Sequence, residues 1–429
     1  MATIKVSEVF GVKKEMVLSY IERDSVDNKF RDALDDDKHI IVYGASKQGK
    51  SALINKHLDV KKRISINCST QMSTRDIYSS LLRQVGVQFE SSKEATKEHG
   101  GEIGFKTVFK AFLPFVAQAD AEIAGKINEK TGEKVVSKAI EFNLEIAQDI
   151  TELLRKVNFN KWILIDNFHY LREDTQKTFS IDLRVFQDAG LKFIILGIWR
   201  EKNRLLQFNR DLLDRIYEIP VEPWKDSDFD SVIKKGTEIL KIEFSSDILK
   251  RIKEISFGNI GIVQELCKET CYSADISNKQ CEIQLINKLE FVNNAIKTKL
   301  EDYSSSHIKS LDCIASSSIQ AGGLYMPYHL IKIIIMEDIE TLKNDIYRSD
   351  FQTLFKNVHY RPNDVRPSDI TYLLNNLSEL QLKNQISPPL FDYDRVGRKL
   401  RIIDSTLMFF LKFKDKDELL EDICNPTES

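Results

Sequence analysis

The stretch KHIIVYGASKQGKSALINKH, at positions 38–57, decides the fold. An apolar run at 39–43 leads into a loop bounded by two glycines, and the loop leads into a segment with helical periodicity. From Gly44 to Ser51 the loop satisfies the pattern GxxxxGK[ST], and it lies between a predicted strand and a predicted helix, as that pattern requires. The stretch therefore predicts a phosphate-binding loop.

A loop of this kind encloses phosphate with main-chain N–H groups, and glycine lets the backbone approach closely or take a positive φ. Lys50 is predicted to reach the β and γ phosphates, and the Ser51 hydroxyl to ligate Mg²⁺. The helix that begins near Lys50 adds the positive end of its dipole. The predicted nucleotide contacts are Gly44, Ala45, Ser46, Lys47, Gln48, Gly49, Lys50, Ser51 and Ala52.

Four more short apolar runs are separated by amphipathic segments long enough to cross over. They are RISIN (63–67), WILID (162–166), KFIILG (192–197) and IYEIPV (216–221). Such runs are typical of buried parallel strands. Together with the first strand they predict an α/β domain with a five-stranded parallel sheet, whose ligand crevice lies at the carboxyl ends of the strands.

A carboxylate is expected near the metal at the end of a neighbouring strand, and Asp166 ends the run WILID. We predict that Asp166 and Ser51 share the Mg²⁺. The next residue is Asn167, where a second carboxylate would polarise the attacking water, so turnover is left open. His169 is near enough in sequence to orient that water, although a histidine after a strand more often makes a structural hydrogen bond.

Two stretches suggest residues that sense or complete a nucleotide site. The run KFIILGIWR ends at Trp199 and Arg200, which are polar candidates for a γ-phosphate sensor. Arg215 precedes the fifth strand and is a candidate arginine finger that would reach the nucleotide of a neighbouring subunit. The alternative is a local salt bridge with Asp211 or Asp214.

The 429 residues are too many for one ordinary core and suggest two or three domains. We predict an ATPase-like core at 1–225, a helical lid at 226–300 and a winged-helix-like domain at 301–429. Residues 92–136 are predicted to form an inserted β-hairpin, which either contacts a partner or is a decorative insertion. The stretch from 137 to 157 is predicted to be one long amphipathic helix.

The lid is expected to contain helical segments near 227–241, 245–256, 260–273 and 281–299. The polar tract EDYSSSH at 301–307 is a candidate linker. In the last domain a helix over 366–380 is followed by strand-like pieces at 389–393 and 399–403. A helix followed by a short hairpin predicts a winged helix.

Charge and cysteine usage restrict the class of protein. The net charge is -3, from 62 basic and 65 acidic residues, so any DNA contact would need a local basic patch. The six cysteines are scattered without a CxxC pair or a histidine at metal-ligand spacing, which indicates free thiols in a reducing compartment. With no signal-peptide pattern and no long apolar stretch, we expect a cytoplasmic protein without a membrane partner.

These motifs together resemble the AAA+ superfamily, in particular the origin-recognition ATPases and the STAND signalling ATPases. The resemblance rests on a Walker A motif at 44–51, a Walker B motif at 162–166, an L-x-x-R-I element at 212–216, the sequence GNIG at 258–261 that opens a lid helix, and the run at 400–410 that looks like the end of an archaeal-type STAND winged helix. It implies that the nucleotide is ATP and that an N-terminal element, here Tyr20 and Arg23, contacts adenine.

The chain departs from this pattern in two places. Many AAA+ proteins have an arginine at the start of the lid helix to contact the γ-phosphate, whereas Asn259 to Val263 contains none. Asn167 likewise replaces the second acidic residue. Both departures favour a slow switch over a fast motor.

The resemblance implies an Mg²⁺-dependent ATPase that acts as a molecular switch, assembles as a homo-oligomer and recruits a protein effector. Bacterial and archaeal stress or antiviral defence is an implied context. The alternative is a DNA-binding loader or regulator that uses a basic cluster of the winged helix, and a fast ATPase motor is a third reading. The cluster consists of Lys383, Arg395, Arg398, Lys399 and Arg401, diluted by Glu379, Asp392 and Asp394.

Overall fold

The computed structural model describes residues 3–13, 15–97, 103–114, 137–199, 204–318 and 323–427. In the first half of the chain the helices and strands are α1 (Val6–Val9), α2 (Lys29–Leu34), β1 (His39–Tyr43), α3 (Lys50–His57), β2 (Arg63–Asn67), α4 (Thr74–Gln84), β3 (Gln88–Lys97), β4 (Ile103–Pro114), β5 (Ser137–Phe142), α5 (Ala147–Lys156), β6 (Trp162–Asp166), α6 (Glu173–Asp188), β7 (Phe193–Gly197), α7 (Arg204–Phe208) and β8 (Ile216–Pro220).

In the second half they are α8 (Asp226–Leu240), β9 (Ile242–Phe244), α9 (Ser246–Ile255), α10 (Ile260–Ser273), β10 (Gln284–Ile286), α11 (Leu289–Ala315), α12 (Met326–Met336), α13 (Ile339–Lys343), β11 (Ile346–Tyr347), α14 (Phe351–Val358), α15 (Pro367–Lys383), β12 (Phe391–Asp394), β13 (Lys399–Ile402), α16 (Ser405–Phe413) and α17 (Lys416–Glu421).

A five-stranded parallel sheet in the order β2-β6-β7-β1-β8 organises the first half of the chain. Its strands coincide with the apolar runs of the sequence, so the predicted parallel sheet is confirmed. Every residue of β1 and β7 is buried, because helices cover both faces of the central strands. The loop after β1 and the end of β6 lie at the same edge of the sheet, since parallel strands share one direction.

An antiparallel sheet in the order β3-β4-β5 is inserted between α4 and α5. The pairing of β3 with β4 is the hairpin expected within 92–136, and residues 98–102 and 115–136 lie outside the described residues.

The prediction of one long helix over 137–157 is wrong. Residues 137–142 form a strand whose Phe142 packs on Phe109, and only 147–156 is helical, because Asn143 accepts a hydrogen bond from Glu145 N and turns the chain.

The lid consists mainly of α8 to α11, and two of its predicted features need correction. The segment near 281–299 is not one helix, because β10 pairs in parallel with β9 before α11 begins. The tract 301–307 is not a linker but part of α11. Its His307 is 4% exposed and Leu311 is fully buried, so one side of this polar stretch is held against neighbouring helices.

The C-terminal part confirms the predicted winged helix. Helix α15 precedes the antiparallel strands β12 and β13, and β11 adds a third strand on the other side of β13. Helix α11 crosses the boundary predicted at 300, and the division of the chain into three domains stays a prediction. Within the described parts of the chain, none of the helices is long and apolar enough to cross a membrane.

Candidate nucleotide-binding site

The loop after β1 has the backbone conformation that its glycines make possible. Gly44 has φ 148° and Gly49 has φ 89°, both in the left-handed region. A Cβ atom on Gly44 would lie 2.7 Å from Val221 Cγ2, so a larger residue would displace the chain that follows β8. Gly49 is the N-cap of α3, whose first turn carries Lys50 and Ser51. The local sequence therefore folds as the phosphate-binding motif predicts.

Lys50 is held against the first turn of this loop. Its Nζ donates hydrogen bonds to Gly44 O at 2.8 Å and to Ala45 O at 2.7 Å. Burial lowers the pKa of Lys50 to about 8, while the nearby carboxylates of Glu222 and Asp166 act in the opposite direction. A buried ammonium favours a polyanion, because a bound phosphate would compensate the desolvated charge.

Asp166 lies at the carboxyl end of β6 and accepts a hydrogen bond from Asn167 N at 2.7 Å. Burial raises the pKa of Asp166, and the charge of Lys50 opposes this shift. In the described residues, no group of three or more His, Cys, Asp or Glu side chains could hold a metal by itself. The oxygen atoms of Ser51 and Asp166 nevertheless suit Mg²⁺, which takes one or two carboxylates and completes its shell with water and substrate phosphates.

Asn167 and His169 follow Asp166 in a tight turn. Asn167 has φ 59°, and the left-handed conformation favours asparagine at this position. Both ring nitrogens of His169 are buried without a hydrogen-bond partner among the described residues. Burial lowers the pKa of His169 to about 3, with smaller contributions from Lys50 and Arg204. The ring is neutral and a weak base at pH 7, and its catalytic role stays a prediction.

A cavity of about 190 Å³ opens beside the loop. It is lined by residues 47–53, by the N-terminal segment that carries Tyr20 and Arg23, and by Ile260 and Gln264 of the lid helix α10. Gly44, Ala45 and Ser46 lie outside this lining and contact the chain after β8 and the lid. The structure thus brings the predicted adenine-contact residues and most of the predicted phosphate-binding residues to one place.

Asp27, which is 1% exposed, orients the N-terminal wall of the cavity. It accepts hydrogen bonds from Tyr20 OH at 2.5 Å and from Arg23 N at 2.7 Å, and its Oδ1 lies 2.7 Å from His57 Nε2 at the end of α3. Burial and the bond to Asp27 raise the pKa of Tyr20, so its ring stays uncharged. The wall is therefore tied to the same helix that begins with Lys50.

Trp224 is a cavity residue that sequence reasoning missed. The Arg23 guanidinium lies 3.6 Å from the centroid of its ring, and Arg23 Nη1 donates to Val221 O at 2.8 Å. The indole also lies 3.7 Å from the place where a Cβ on Gly49 would be. An aromatic residue just after the fifth strand was the available signal, because the carboxyl ends of the strands form the ligand edge.

The lid contacts the loop through the start of α10. Asn259 caps this helix by accepting a hydrogen bond from Ile262 N at 3.0 Å, and its Nδ2 donates to Ser46 O at 3.0 Å. A Cβ atom on Gly261 would lie 2.5 Å from Lys47 Cβ, so glycine permits this close approach. Where an arginine is common in AAA+ proteins, this chain thus places an asparagine against the loop itself.

Arg215 lies at the start of β8, at the edge of the sheet opposite the loop. The alternative was an ion pair with Asp211 or Asp214; Arg215 instead pairs with Asp188 at 2.6 Å, and Asp211 pairs with Arg184. The role of Arg215 as an arginine finger stays a prediction. Trp199 is 3% exposed and packs over Gly197 as a core residue, and Arg200 lies outside the described residues.

Comparisons with known proteins agree with this architecture. No protein-family model matches the chain, and no curated protein matches its sequence. A solved structure of a Walker-type ATPase of Pyrococcus abyssi superposes with a TM-score of 0.52 at 13% identity, over 92% of this chain and 96% of that chain. The fold is therefore that of a P-loop ATPase.

Two weaker structural likenesses are the Orc1 protein of Aeropyrum pernix in complex with DNA (TM-score 0.42, 11% identity, covering 94% of this chain and 92% of that one) and Cdc6p from Pyrobaculum aerophilum (0.40, 13%, 96% and 99%). The sheet order and the loop after β1 agree with the P-loop ATPase fold that the resemblance to AAA+ proteins predicts. The narrower resemblance to STAND ATPases stays a prediction.

Proposed function

We propose that this protein is an ATP-controlled switch, in which ATP and Mg²⁺ set the orientation of the lid and the winged helix relative to the core. One observation carries the proposal. The carbonyl oxygen of Ser46, in the loop itself, accepts hydrogen bonds from Asn259 of the lid at 3.0 Å and from the hydroxyl of Ser405 at the start of α16 at 3.4 Å. The lid and the start of α16 are thus both hydrogen-bonded to the nucleotide loop.

Contacts of this kind give the nucleotide a means to shift a conformational equilibrium. A ligand favours one conformation only through contacts that differ between the two. Lys47 in the loop places its Nζ 4.9 Å from the ring centroid of Tyr303 in α11, and Gly261 packs on the same lysine. Any rearrangement of the loop around phosphate therefore changes how α10, α11 and α16 pack against it.

The site residues have separate tasks in this proposal. Loop N–H groups and the Lys50 ammonium bind the phosphates, while Tyr20, Arg23 and Trp224 enclose the adenine. Ser51 and Asp166 would hold Mg²⁺, which neutralises phosphate charge and acts as a Lewis acid. With Asn167 in place of a second carboxylate, no residue beside Asp166 is a strong base, so we expect slow hydrolysis.

The winged helix is proposed to act on proteins rather than on duplex DNA. Three cations of the basic cluster are already paired with acids: Arg395 with Glu173, Lys399 with Asp345, and Arg401 with both Asp345 and Asp394. Cations engaged in this way have little charge left to neutralise DNA phosphates. A protein effector that contacts the wing once it leaves the core is the partner we propose, together with self-assembly in which Arg215 faces a neighbouring subunit.

The test measures ATP binding by calorimetry, and hydrogen–deuterium exchange with and without a non-hydrolysable ATP analogue. We expect Mg²⁺-dependent binding, with altered exchange at 258–263 in the lid and 404–408 in α16. Binding without any change in either segment would contradict a switch, and no binding would contradict an ATPase. Affinity for labelled duplex DNA at about 50 mM salt would favour the DNA-binding alternative.

A further inference from the structure

Glu222 lies in the short connection between the core and the lid. The connection runs from Pro220, the last residue of β8, to Asp226, the first residue of α8. It continues alongside β1, because Val221 N donates a hydrogen bond to Tyr43 O at 2.9 Å. The side chain of Glu222 therefore lies at the first turn of the nucleotide loop.

The carboxylate of Glu222 bridges that loop. Its Oε1 accepts a hydrogen bond from Ala45 N at 2.8 Å, and its Oε2 accepts one from Gln48 Nε2 at 3.0 Å. Gln48 is 1% exposed and continues to the lid: its Nε2 donates to Gly258 O and its Oε1 accepts from Ile260 N, both at 3.4 Å. A chain of hydrogen bonds therefore leads from the core–lid connection through the loop to the start of α10.

Glu222 places a negative charge beside the loop that is proposed to bind phosphate. Of the two carboxylates that favour the charged form of Lys50, Glu222 has the larger effect and Asp166 the smaller. The same ammonium is the one that the phosphates of ATP need. Glu222 and the phosphates therefore attract the same cation and repel one another, and this repulsion is weakly screened because the groups are partly buried.

We propose that Glu222 is a positioning residue that couples the charge of the bound phosphates to the orientation of the lid. This inference rests on the proposed function and adds the element that transmits the signal. In the described conformation Glu222 holds the loop and the lid together through Ala45 and Gln48. The phosphates displace its carboxylate, and the connection that carries it moves with the lid.

The decisive variant is Glu222→Gln, which removes the charge and keeps the size. We expect its affinity for ATP to rise by at least about fivefold, with a smaller gain for ADP and none for adenosine, because the repulsion scales with the charge of the ligand. Without nucleotide, exchange at 258–261 should already resemble that of the ATP-bound wild type, since the bond to Gln48 is weakened.

Two further variants separate charge from geometry. Glu222→Asp keeps the charge but is one methylene shorter, so it cannot span Ala45 and Gln48; we expect no gain in ATP affinity but raised exchange at 258–261. Glu238→Gln removes the same charge from α8, where the side chain is 65% exposed, and it should behave as the wild type. Thermal unfolding of each variant checks that it is folded.

Outcomes of the binding series distinguish the inference from the function on which it rests. If the wild type binds no ATP, the proposed function fails. If the wild type binds ATP, but Glu222→Gln binds ATP, ADP and adenosine with unchanged or equally weakened affinity, Glu222 is only a structural support for the loop and the inference alone is overturned. A gain graded by phosphate number, together with raised exchange at 258–261 in both Glu222 variants, supports it.

Discussion

The guanidinium of Arg395 donates two parallel hydrogen bonds to the carboxylate of Glu173, at 2.9 Å from Nη1 to Oε1 and 3.0 Å from Nη2 to Oε2. This pair joins the turn between β12 and β13 to the first turn of α6 in the core. A second pair, Arg204 with Asp392, lies nearby at 3.1 Å. The two pairs hold the winged helix on the side of the core that carries Asp166.

The exposure of the side chains predicts which of the two ion pairs contributes more to the free energy of unfolding. The side chains of Arg395 and Glu173 are 52% and 55% exposed, whereas those of Arg204 and Asp392 are 22% and 7% exposed. We expect Arg395→Ala to lower the free energy of unfolding by less than about 1 kcal/mol. Arg204→Ala should lower it by about 1–3 kcal/mol, because it leaves a buried carboxylate with fewer partners.

Urea unfolding measures both effects, and hydrogen exchange over 387–395 shows whether the wing leaves the core. Lys250→Ala is a suitable control, since Lys250 belongs to an exposed pair on α9 and should have no effect on the wing. Equal destabilisation by Arg395→Ala and Arg204→Ala would contradict the ranking by burial.

Replacing Lys50 by alanine should abolish tight ATP binding. The variant removes the charge-assisted hydrogen bonds to phosphate, which contribute about 2 kcal/mol or more, so affinity should fall by at least about 30-fold. Calorimetry of Lys50→Ala and of the control Lys61→Ala, a lysine outside the loop, checks this. ATP affinity within about threefold of the wild type in Lys50→Ala would mean that the loop does not bind phosphate through this residue.

ATP affinity should depend on pH above neutrality. The pKa of Lys50 is lowered to about 8 in the free protein, and bound phosphate favours its charged form. Above pH 8 the free protein loses this proton and ATP must restore it, so affinity should fall by up to about tenfold per pH unit. Calorimetry at pH 7, 8 and 9, in two buffers of different ionisation enthalpy, would show uptake of about one proton at the highest pH.

The free energy of unfolding of the free protein should rise with pH above about 8, whereas the ATP affinity falls. The usual pKa of lysine is 10.5, so between pH 8 and 10.5 the unfolded chain binds a proton at position 50 that the folded chain has lost. The destabilisation caused by the buried ammonium is complete below pH 8 and is relieved as pH rises through this window. The variant Lys50→Arg provides the control, because arginine stays charged over this pH range. The ATP affinity of this variant should therefore not change with pH.

Introducing a carboxylate beside Asp166 should speed hydrolysis. We expect Asn167→Glu to raise ATP turnover by about 10- to 100-fold, because a carboxylate at this position can polarise the attacking water. The left-handed backbone of Asn167 will make the variant about 1 kcal/mol less stable. Asn158→Glu is a matched control, since Asn158 is exposed and has φ 52° in the turn before β6, whereas Asp166 lies at the carboxyl end of that strand.

The outcome of that experiment also separates the switch from a fast motor. A wild-type turnover already within about 1 to 1000 per second, unchanged by Asn167→Glu, would contradict the slow switch. A rise in turnover with Asn158→Glu would show that the effect does not depend on the site.

The core was predictable from the sequence because its strands are short runs rich in apolar residues and the loop has a fixed spacing of glycine, lysine and serine. The errors occurred where tertiary contacts outweigh local pattern. Residues 137–142 become a strand by pairing with β4, and the polar tract 301–307 stays helical because His307 and Leu311 are buried on one side. Local sequence contains no such information.

The residues of the candidate site likewise divide into those that sequence identifies and those that depend on tertiary contacts. Lys50, Ser51 and Asp166 follow from a motif, and the N-terminal position of Tyr20 and Arg23 follows from a family resemblance. Glu222 and Trp224 reach the loop only because β8 lies next to β1 in the sheet. No spacing between positions 44 and 222 could have predicted that contact, since it depends on strand order.

Helix α11 is continuous over 27 residues and packs against both α10 and α16. Its length is about 40 Å, and no hinge interrupts it where a linker had been expected. In the proposed switch, the winged helix would follow a rotation of the lid, because the continuous helix α11 packs against both. A 10° rotation of α11 about its nucleotide end would move its other end by about 7 Å, so a small displacement at the loop would become a larger one at the winged helix.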